Sequence, residues 1–125
     1  AGKVGAAELA AALLATEGAP TIVILNAGDL NLGASDDFAT LVPMAQAAGA
    51  WVHVDGAFGL WLNASPRLRE QVAGIELCDS WATDGHKWLN TPYDAGMAIT
   101  RHGDALKASM RMTASYLTEG GETRD

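Results

Sequence analysis

Two short apolar runs separated by a helix-like segment constrain the fold of this chain most strongly. The runs are TIVIL at residues 21–25 and WVHVD at residues 51–55. The first is apolar on both faces, as expected of a buried strand in a parallel sheet, and the second is a strand of the same length. Residues 37–48 lie between them and carry apolar residues at helical spacing. A strand, a helix and a strand in this order predict an α/β fold.

Two helices are predicted around these strands. Residues 5–16 are rich in Ala and Leu, which favour helix, and Gly and Pro residues follow them. The helix over residues 37–48 is expected to be capped by Ser35 or Asp36, whose oxygens can accept hydrogen bonds from its first N–H groups. Pro43 lies within it, which indicates a bend or a late start.

The second half of the chain continues the alternation. Pro66 is expected to open a helix through about residue 73. Short strands are predicted at residues 79–83 and 95–100, and GDALKASM at residues 103–110 looks like a further helix. The order of these elements predicts an open, mostly parallel α/β sheet.

Composition argues against two classes of partner. The chain of 125 residues is about one domain long, and it has no apolar run of the ~20 residues that a membrane span needs. Eight basic and fifteen acidic residues give a net charge of −7, which argues against nucleic acid and anionic membranes as partners. Cys78 is the only cysteine. We expect a buried, unreactive thiol, in keeping with a reducing cytoplasm.

The two ends of the chain suggest a piece of a larger protein. Residue 1 is Ala, and the first residues read as the interior of a fold. The last ones, SYLTEGGETRD, are polar and rich in Gly, with no closing element. We therefore expect that these 125 residues are a fragment.

Potentially reactive side chains follow the predicted strands. Ligands of open parallel sheets bind outside the carboxyl ends of the strands. Asp55 ends the second strand, residues 26–35 follow the first, and His86 and Lys87 follow the third. Dinucleotide, phosphate-loop and serine-hydrolase motifs are not found in the sequence.

A lysine and an aspartate at one pocket suit pyridoxal 5'-phosphate. This cofactor needs a Lys that holds its aldehyde as a Schiff base, and an acid that keeps its pyridine nitrogen protonated. Residues two apart in an extended segment face the same way, so Asp55 can meet the nitrogen while the small Ala57 packs under the ring. A metal site formed by His53, Asp55 and His86 is a weaker alternative, because nothing in the sequence supplies a second shell for it.

Two longer segments resemble a known family. WVHVDGAFGLW, starting at residue 51, and DSWATDGHKWLNTPYDAGMAI, starting at residue 79, are similar to the pyridoxal-phosphate-dependent group II amino-acid decarboxylases. The aromatic amino-acid decarboxylases are the branch that the chain resembles most. The resemblance runs from about Thr21 to the end. It implies that residues 1–125 are part of the large, cofactor-binding domain of the aspartate-aminotransferase-like fold (fold type I).

The resemblance also implies roles for individual residues. Lys87 would be the Schiff-base lysine, Asp55 the partner of the pyridinium nitrogen and Ala57 the residue that packs on the ring. His86 would lie near the phosphate or the substrate carboxylate. Asp84 occupies a position where relatives often have Asn near the phosphate, and it would bind the cofactor there. Because a carboxylate repels a phosphate, this contact would have to come from the backbone of Asp84.

Two further residues complete the predicted site. Asn31 lies in the loop NAGDLNLGASD, which resembles the family's GTT-type loop but departs from its Thr run. Tyr116 lies in residues 109–125, the segment that the resemblance identifies as a mobile active-site loop. In the resembling enzymes a Tyr at this spacing serves a site that is often the partner subunit's. Tyr116 would then return a proton to the substrate carbon. The four Trp residues are expected to pack in the interior.

The resemblance implies an activity for the longer protein. It implies removal of the α-carboxylate of an L-amino acid as carbon dioxide, which leaves an amine, and it implies a homodimer. Another reaction of this cofactor, transamination or aldol cleavage, is the alternative among enzymes, and a non-catalytic relative used for assembly or binding is the alternative outside them. The 125 residues alone are expected to bind the cofactor poorly and to be inactive.

Overall fold

The computed structural model describes residues 2–111, which form a four-stranded sheet covered by helices. The strands are β1 (Ile22–Asn26), β2 (Trp51–Asp55), β3 (Ser80–Asp84) and β4 (Gly96–Thr100). They lie side by side in the order β1-β2-β3-β4. β1, β2 and β3 are parallel, whereas β4 runs antiparallel to β3. The predicted mixed α/β architecture with a mostly parallel sheet is confirmed.

Three α-helices and three short 3₁₀ segments accompany the strands within residues 2–111. The helices are α1 (Ala6–Ala15), α2 (Phe38–Ala47) and α3 (Gly103–Met110), and the 3₁₀ turns are Gly59–Ala64, Arg69–Val72 and Ile75–Leu77. Within residues 2–111, no helix combines the length and the apolar character needed to cross a membrane.

The helix predicted from Pro66 to residue 73 is wrong. Only Arg69–Val72 are helical there, in a single 3₁₀ turn in which Val72 is buried. Gly74 follows with φ 88°, and a Cβ at this position would lie 2.6 Å from the backbone nitrogen of Ala39. The segment between Pro66 and this glycine is too short to repay the cost of nucleating an α-helix.

The described elements cover one face of the sheet. On β1 and β2 the buried side chains alternate with outward-facing ones. The interior is formed by residues of both strands, of α1 and α2 and of the 3₁₀ turns; its largest members are Phe38, Leu25, Leu41, Ile75, Val42, Val52 and Val54. Ile22 and Ile24 point to the other face and are 67% and 59% exposed. The prediction that β1 is buried on both faces is therefore not met within residues 2–111.

The cap of α2 differs from the predicted one. Asp37, not Ser35 or Asp36, is the N-cap, and its side chain accepts a hydrogen bond from the backbone N–H of Thr40. Asp36 is buried and accepts hydrogen bonds from the N–H groups of Val4 (2.8 Å) and Asn26 (2.7 Å). Asp36 is therefore drawn away from the helix and holds the end of β1.

Cys78 is fully buried, as predicted. Burial, with a smaller contribution from the charge of Asp79, raises the pKa of the Cys78 thiol to about 12. The thiol therefore stays protonated at neutral pH and is a poor nucleophile.

Asp79 connects β2 to the segment that precedes α3. Its carboxylate accepts hydrogen bonds from the backbone N–H of Val52 (2.8 Å) and from Nε2 of His102 (2.9 Å). Partial burial opposes ionisation of Asp79, but these two hydrogen bonds and one from Gln46 outweigh it. The pKa of Asp79 therefore lies below its ordinary value of 3.8.

The lowered pKa of Asp79 predicts a pH-dependent contribution to stability. Because this pKa is lower in the folded than in the unfolded chain, the carboxylate stabilises the fold above pH about 4, and the contribution is lost as the pH falls through the folded value. We expect Asp79→Asn to lower the free energy of unfolding of the full-length protein by about 1 kcal/mol at neutral pH. The difference should shrink below pH about 4.

Unfolding curves recorded across this pH range measure the effect. Asp104→Asn is the control, because the Asp104 side chain is fully exposed on α3, and this variant should match the wild type at every pH. A deficit of Asp79→Asn that stayed constant through the acid range would contradict the assignment.

Candidate active site

The carboxyl ends of the three parallel strands bring the predicted residues to one edge of the sheet. Asn26 at the end of β1 is opposite Asp55 at the end of β2, and Asp55 is opposite Ala82 on β3. Two residues beyond Ala82, β3 ends at Asp84. Asn26, Asp55 and Asp84 thus share one face and one edge of the sheet, because alternate residues of a strand face the same way.

Two glycines hold the connections after β1 and β2 together. The backbone N–H of Gly59 donates to the carbonyl oxygen of Ala27 (2.9 Å), and the N–H of Ala27 donates to the carbonyl oxygen of Asp55. A Cβ on Gly59 would lie 2.5 Å from the carbonyl group of Ala27, and one on Gly28 would lie 2.9 Å from the Cα of Gly59. The backbones therefore approach more closely than any side chain would allow.

Gly59→Ala is expected to destabilise the full-length protein by about 3 kcal/mol, because the added methyl group would displace backbone rather than a flexible side chain. Thermal unfolding measures the loss. Gly103→Ala is the matched control, since a Cβ there meets nothing within 4 Å, and we expect it to change stability by less than about 0.5 kcal/mol. Equal stability of the two variants would disprove the close approach.

Asp55 presents an exposed carboxylate at the end of β2. One of its oxygens, Oδ1, accepts a hydrogen bond from the backbone N–H of Ala57 (3.1 Å). The intervening residue is fixed as well, since the N–H of Gly56 donates to the carbonyl of Ala82 and the hydroxyl of Thr83 donates to the carbonyl of Gly56. Two residues of β3 thus fix Gly56, and with it the relative position of Asp55 and Ala57 on either side.

Lys87 lies in the turn that follows β3. Its Nζ forms an ion pair with Oδ2 of Asp84 at 2.7 Å and lies 4.4 Å from the centroid of the Phe58 ring. The side chains of Lys87 and Asp84 are 28% and 27% exposed, so the pair is open to small molecules. The hydrogen bond and the charge of Lys87 lower the pKa of the Asp84 carboxyl.

His86 is held in one orientation by two contacts. Its Nδ1 accepts a hydrogen bond from the backbone N–H of Ala95 (3.2 Å). Its ring stacks on that of Tyr93, with 4.1 Å between the centroids. Because Nδ1 acts as an acceptor, the neutral ring carries its proton on Nε2. Nε2 is therefore a hydrogen-bond donor.

Two of the predicted site residues are not brought to this edge by any described contact. Asn31 lies on the exposed loop between β1 and α2, where its backbone N–H donates to Oδ1 of Asp29. Tyr116 lies outside the described residues. The predicted contact of Asp84 with the cofactor phosphate stays a prediction, and its carboxylate is held by Lys87 here.

Sequence reasoning missed Phe58 and the cavity beside it. The cavity has a volume of about 270 Å³, and its aromatic walls are Phe58 and Trp88. Trp88 is 55% exposed, so the interior packing expected of it is wrong. The signal was present in the sequence, because Phe58 directly follows Ala57 and Trp88 directly follows Lys87.

These residues fit pyridoxal 5'-phosphate. The amine of Lys87 is accessible at the end of one strand, and the Asp55 carboxylate is exposed at the end of the neighbouring strand. Ala57, tied to Asp55 by its N–H, is small enough to lie against a flat ring. By contrast, residues 2–111 hold no group of three or more His, Cys, Asp or Glu side chains placed to bind a metal ion.

Comparison with curated proteins gives relatives that are much longer than this chain. The aromatic-L-amino-acid decarboxylase of Bacillus atrophaeus is 35% identical over 100 residues, which are 80% of this chain and 21% of that protein. The L-2,4-diaminobutyrate decarboxylase of Rhizobium meliloti is 36% identical over 98 residues, 78% of this chain and 19% of that protein. The chain thus spans about a fifth of the length of these relatives.

Solved structures and the family profile agree with these relatives. The structure described as Oryza sativa TDC with PLP and tryptamine has a TM-score of 0.83 and 30% identity, and the match covers 94% of this chain and 25% of that one. Mouse CSAD in apo form shares the fold with a TM-score of 0.84 at 24% identity, over 99% of this chain and 26% of its own. The profile described as "Pyridoxal-dependent decarboxylase conserved domain" matches residues 1–123. With the lysine and aspartate at the carboxyl edge of a fold type I sheet, the chain therefore belongs to the pyridoxal-dependent decarboxylase family.

Proposed function

We propose that the full-length protein decarboxylates an L-amino acid to the amine and carbon dioxide, with pyridoxal 5'-phosphate as cofactor. The observation that supports this most directly is the placement of Lys87 and Asp55 at the ends of neighbouring parallel strands, in a chain that matches the decarboxylase family. Several relatives are named as decarboxylases of aromatic amino acids, L-2,4-diaminobutyrate or aspartate.

Each residue at the edge has a distinct task in this proposal. The cofactor, when bound, supplies an electron sink for the pair left by the departing carboxylate. Lys87 binds it covalently through its amine, and Asp55 holds a proton at the ring nitrogen by its negative charge. Ala57 offers a flat apolar contact. His86, as an Nε2–H donor, binds the phosphate or the substrate carboxylate without giving up its bond to Ala95.

Product analysis of the full-length protein tests the proposed reaction. The protein, loaded with cofactor, is incubated with L-amino acids that include aromatic ones, aspartate, 2,4-diaminobutyrate and the β-hydroxy amino acid threonine, together with a 2-oxo acid that can accept an amino group. Amine and carbon dioxide in equal amounts support decarboxylation. Keto acid without carbon dioxide would show transamination, an aldehyde with glycine would show aldol cleavage, and no product from any amino acid would favour a non-catalytic relative.

We propose that Tyr116 returns the proton to the substrate's α-carbon after the carboxylate has left. A phenol with an ordinary pKa of about 10 can deliver this proton and regain one from solvent. Tyr116→Phe is then expected to leave cofactor binding intact and to slow amine formation by about a hundredfold or more. Quantifying amine against time measures this.

The side product distinguishes a lost proton donor from a distorted site. Without the donor, the α-carbon can react with oxygen, so that one amino acid, oxygen and water yield the aldehyde, carbon dioxide, ammonia and hydrogen peroxide. Two relatives, from Arabidopsis thaliana and Rhodiola rosea, are named as aldehyde synthases. Tyr93→Phe is the control, because it also removes a tyrosine hydroxyl but keeps the ring that stacks on His86, and it should form amine at the parental rate. Amine formation by Tyr116→Phe at the parental rate would refute this role.

We propose further that the full-length protein is a homodimer located in the cytoplasm. The likeness to decarboxylases whose loop serves the partner's site supports the dimer, and the single, buried Cys78 suits a reducing compartment. Sedimentation of the purified protein at several concentrations tests the dimer. Fractionation of the source cells tests the location.

A further inference from the structure

Asp84 and Phe58 surround the ammonium group of Lys87 from two sides. The Asp84 carboxylate forms an ion pair with Nζ at 2.7 Å, and the ring face of Phe58 lies 4.4 Å from it. Opposite Asp84 on β4 lies Gly96, which contributes no side chain that could compete for the carboxylate. A carboxylate and an aromatic face are the two groups that best stabilise a lysine cation.

We infer that Asp84 and Phe58 form a seat for Lys87, which the lysine occupies whenever it is not bonded to the cofactor. The inference rests on the proposed function only in taking Lys87 as the lysine that binds the cofactor. The ion pair is short, at 2.7 Å, and it joins Asp84, the last residue of β3, to Lys87 three residues later in the turn. Asp84 and Phe58 are therefore positioning residues that act through Lys87.

The seat has a use in each turnover. When a substrate ammonium ion takes the place of Lys87 on the cofactor carbon, one carbon–nitrogen bond would be exchanged for another, and the substrate nitrogen would pass two protons to the lysine nitrogen. Lys87 would then leave as an ammonium ion. Asp84 and Phe58 stabilise this product of the exchange and thereby favour the displacement.

The readiness with which methylamine displaces Lys87 from the cofactor measures how strongly Asp84 and Phe58 stabilise the released lysine. This measurement does not rely on catalysis. Full-length protein loaded with pyridoxal 5'-phosphate is titrated with methylamine. Borohydride trapping followed by mass spectrometry reports the fraction of cofactor still bonded to Lys87. We expect Asp84→Asn to raise the methylamine concentration needed for half displacement about tenfold, the value of one charge-assisted hydrogen bond. Phe58→Leu should raise it about threefold.

Two matched variants separate the seat from a structural effect. Asp104→Asn removes the other carboxylate of an i,i+3 pair with lysine, at an exposed site on α3, and should leave the titration unchanged. Asp84→Glu keeps the carboxylate and should return the titration to within about threefold of the wild type.

The outcomes separate this inference from the proposed reaction. If half of the cofactor left Lys87 at the same methylamine concentration in Asp84→Asn as in the wild type, the inferred role of Asp84 would be wrong. This conclusion holds whether or not the protein forms amine from amino acids. Loss of covalent attachment in Asp84→Asn would overturn the inferred role too, because a seat used only by the free lysine leaves the bonded state intact. Failure of the proposed reaction would instead show in the product analysis, as keto acid, as an aldehyde with glycine, or as unchanged amino acids.

Discussion

Replacing Lys87 by Ala in the full-length protein is expected to abolish covalent attachment of pyridoxal 5'-phosphate and to reduce amine formation by about a thousandfold or more. Lys87 follows the strand next to Asp55, and its amine is accessible at the carboxyl edge of the sheet. No neighbouring group in its described contacts, Asp84 or Phe58, has an amine that could replace it.

Borohydride reduction followed by peptide mass spectrometry measures this directly. In the wild type the cofactor mass should lie on the peptide that contains Lys87, and in Lys87→Ala it should disappear from the protein. Lys107→Ala is the control, because Lys107 also pairs with an aspartate three residues away, but on the exposed surface of α3. A cofactor mass on another lysine, or undiminished amine formation by Lys87→Ala, would show that the reactive lysine has been misassigned.

The strands could be predicted because their signal is local. β2 was predicted at residues 51–55 and is found there, and β1 differs from its prediction by one residue. Short apolar runs bounded by Gly and Pro carry this information without reference to the rest of the fold. The burial of a strand, by contrast, depends on residues far away in the sequence. Ile22 and Ile24 are exposed because no described element lies over their face of the sheet.

The direction of β4 depends on the length of its connection. Residues 85–95 join β3 to β4, which is shorter than the dozen or more residues, usually including a helix, that a parallel crossover needs. The chain therefore returns antiparallel, beside β3. Counting this connection would have predicted the direction from the sequence, whereas strand periodicity alone is the same for both directions.

The location of the site at the carboxyl ends of the strands could be predicted from the sequence, but the contacts between its side chains could not. That Asp55 and Lys87 lie at one edge follows from the rule for parallel sheets. The ion pair of Lys87 with Asp84 and its contact with Phe58 depend on the conformation of the turn after β3, for which hydrophobic periodicity has no signal. The same applies to Asp36, whose oxygens bind two distant N–H groups instead of capping α2.

Asp55→Asn is expected to separate cofactor attachment from catalysis. The amide of Asn has nearly the shape of the carboxylate and can still accept the hydrogen bond from the N–H of Ala57, so the turn after β2 should be preserved. It carries no negative charge, however, and so cannot favour a proton on the ring nitrogen. The electron sink is weakened, while Lys87 remains free to bind the cofactor aldehyde.

We therefore expect Asp55→Asn to retain covalently attached cofactor and an unchanged unfolding temperature, and to lose amine formation by about a hundredfold or more. Asp55→Glu restores the charge on a longer side chain and should recover part of the rate. A loss of rate that came with loss of folding would indicate a structural role at the end of β2. If Asp55→Asn formed amine within about threefold of the parental rate, another acid would have to face the ring nitrogen. Loss of the charge that holds the ring-nitrogen proton must lower kcat, since the electron sink depends on that proton.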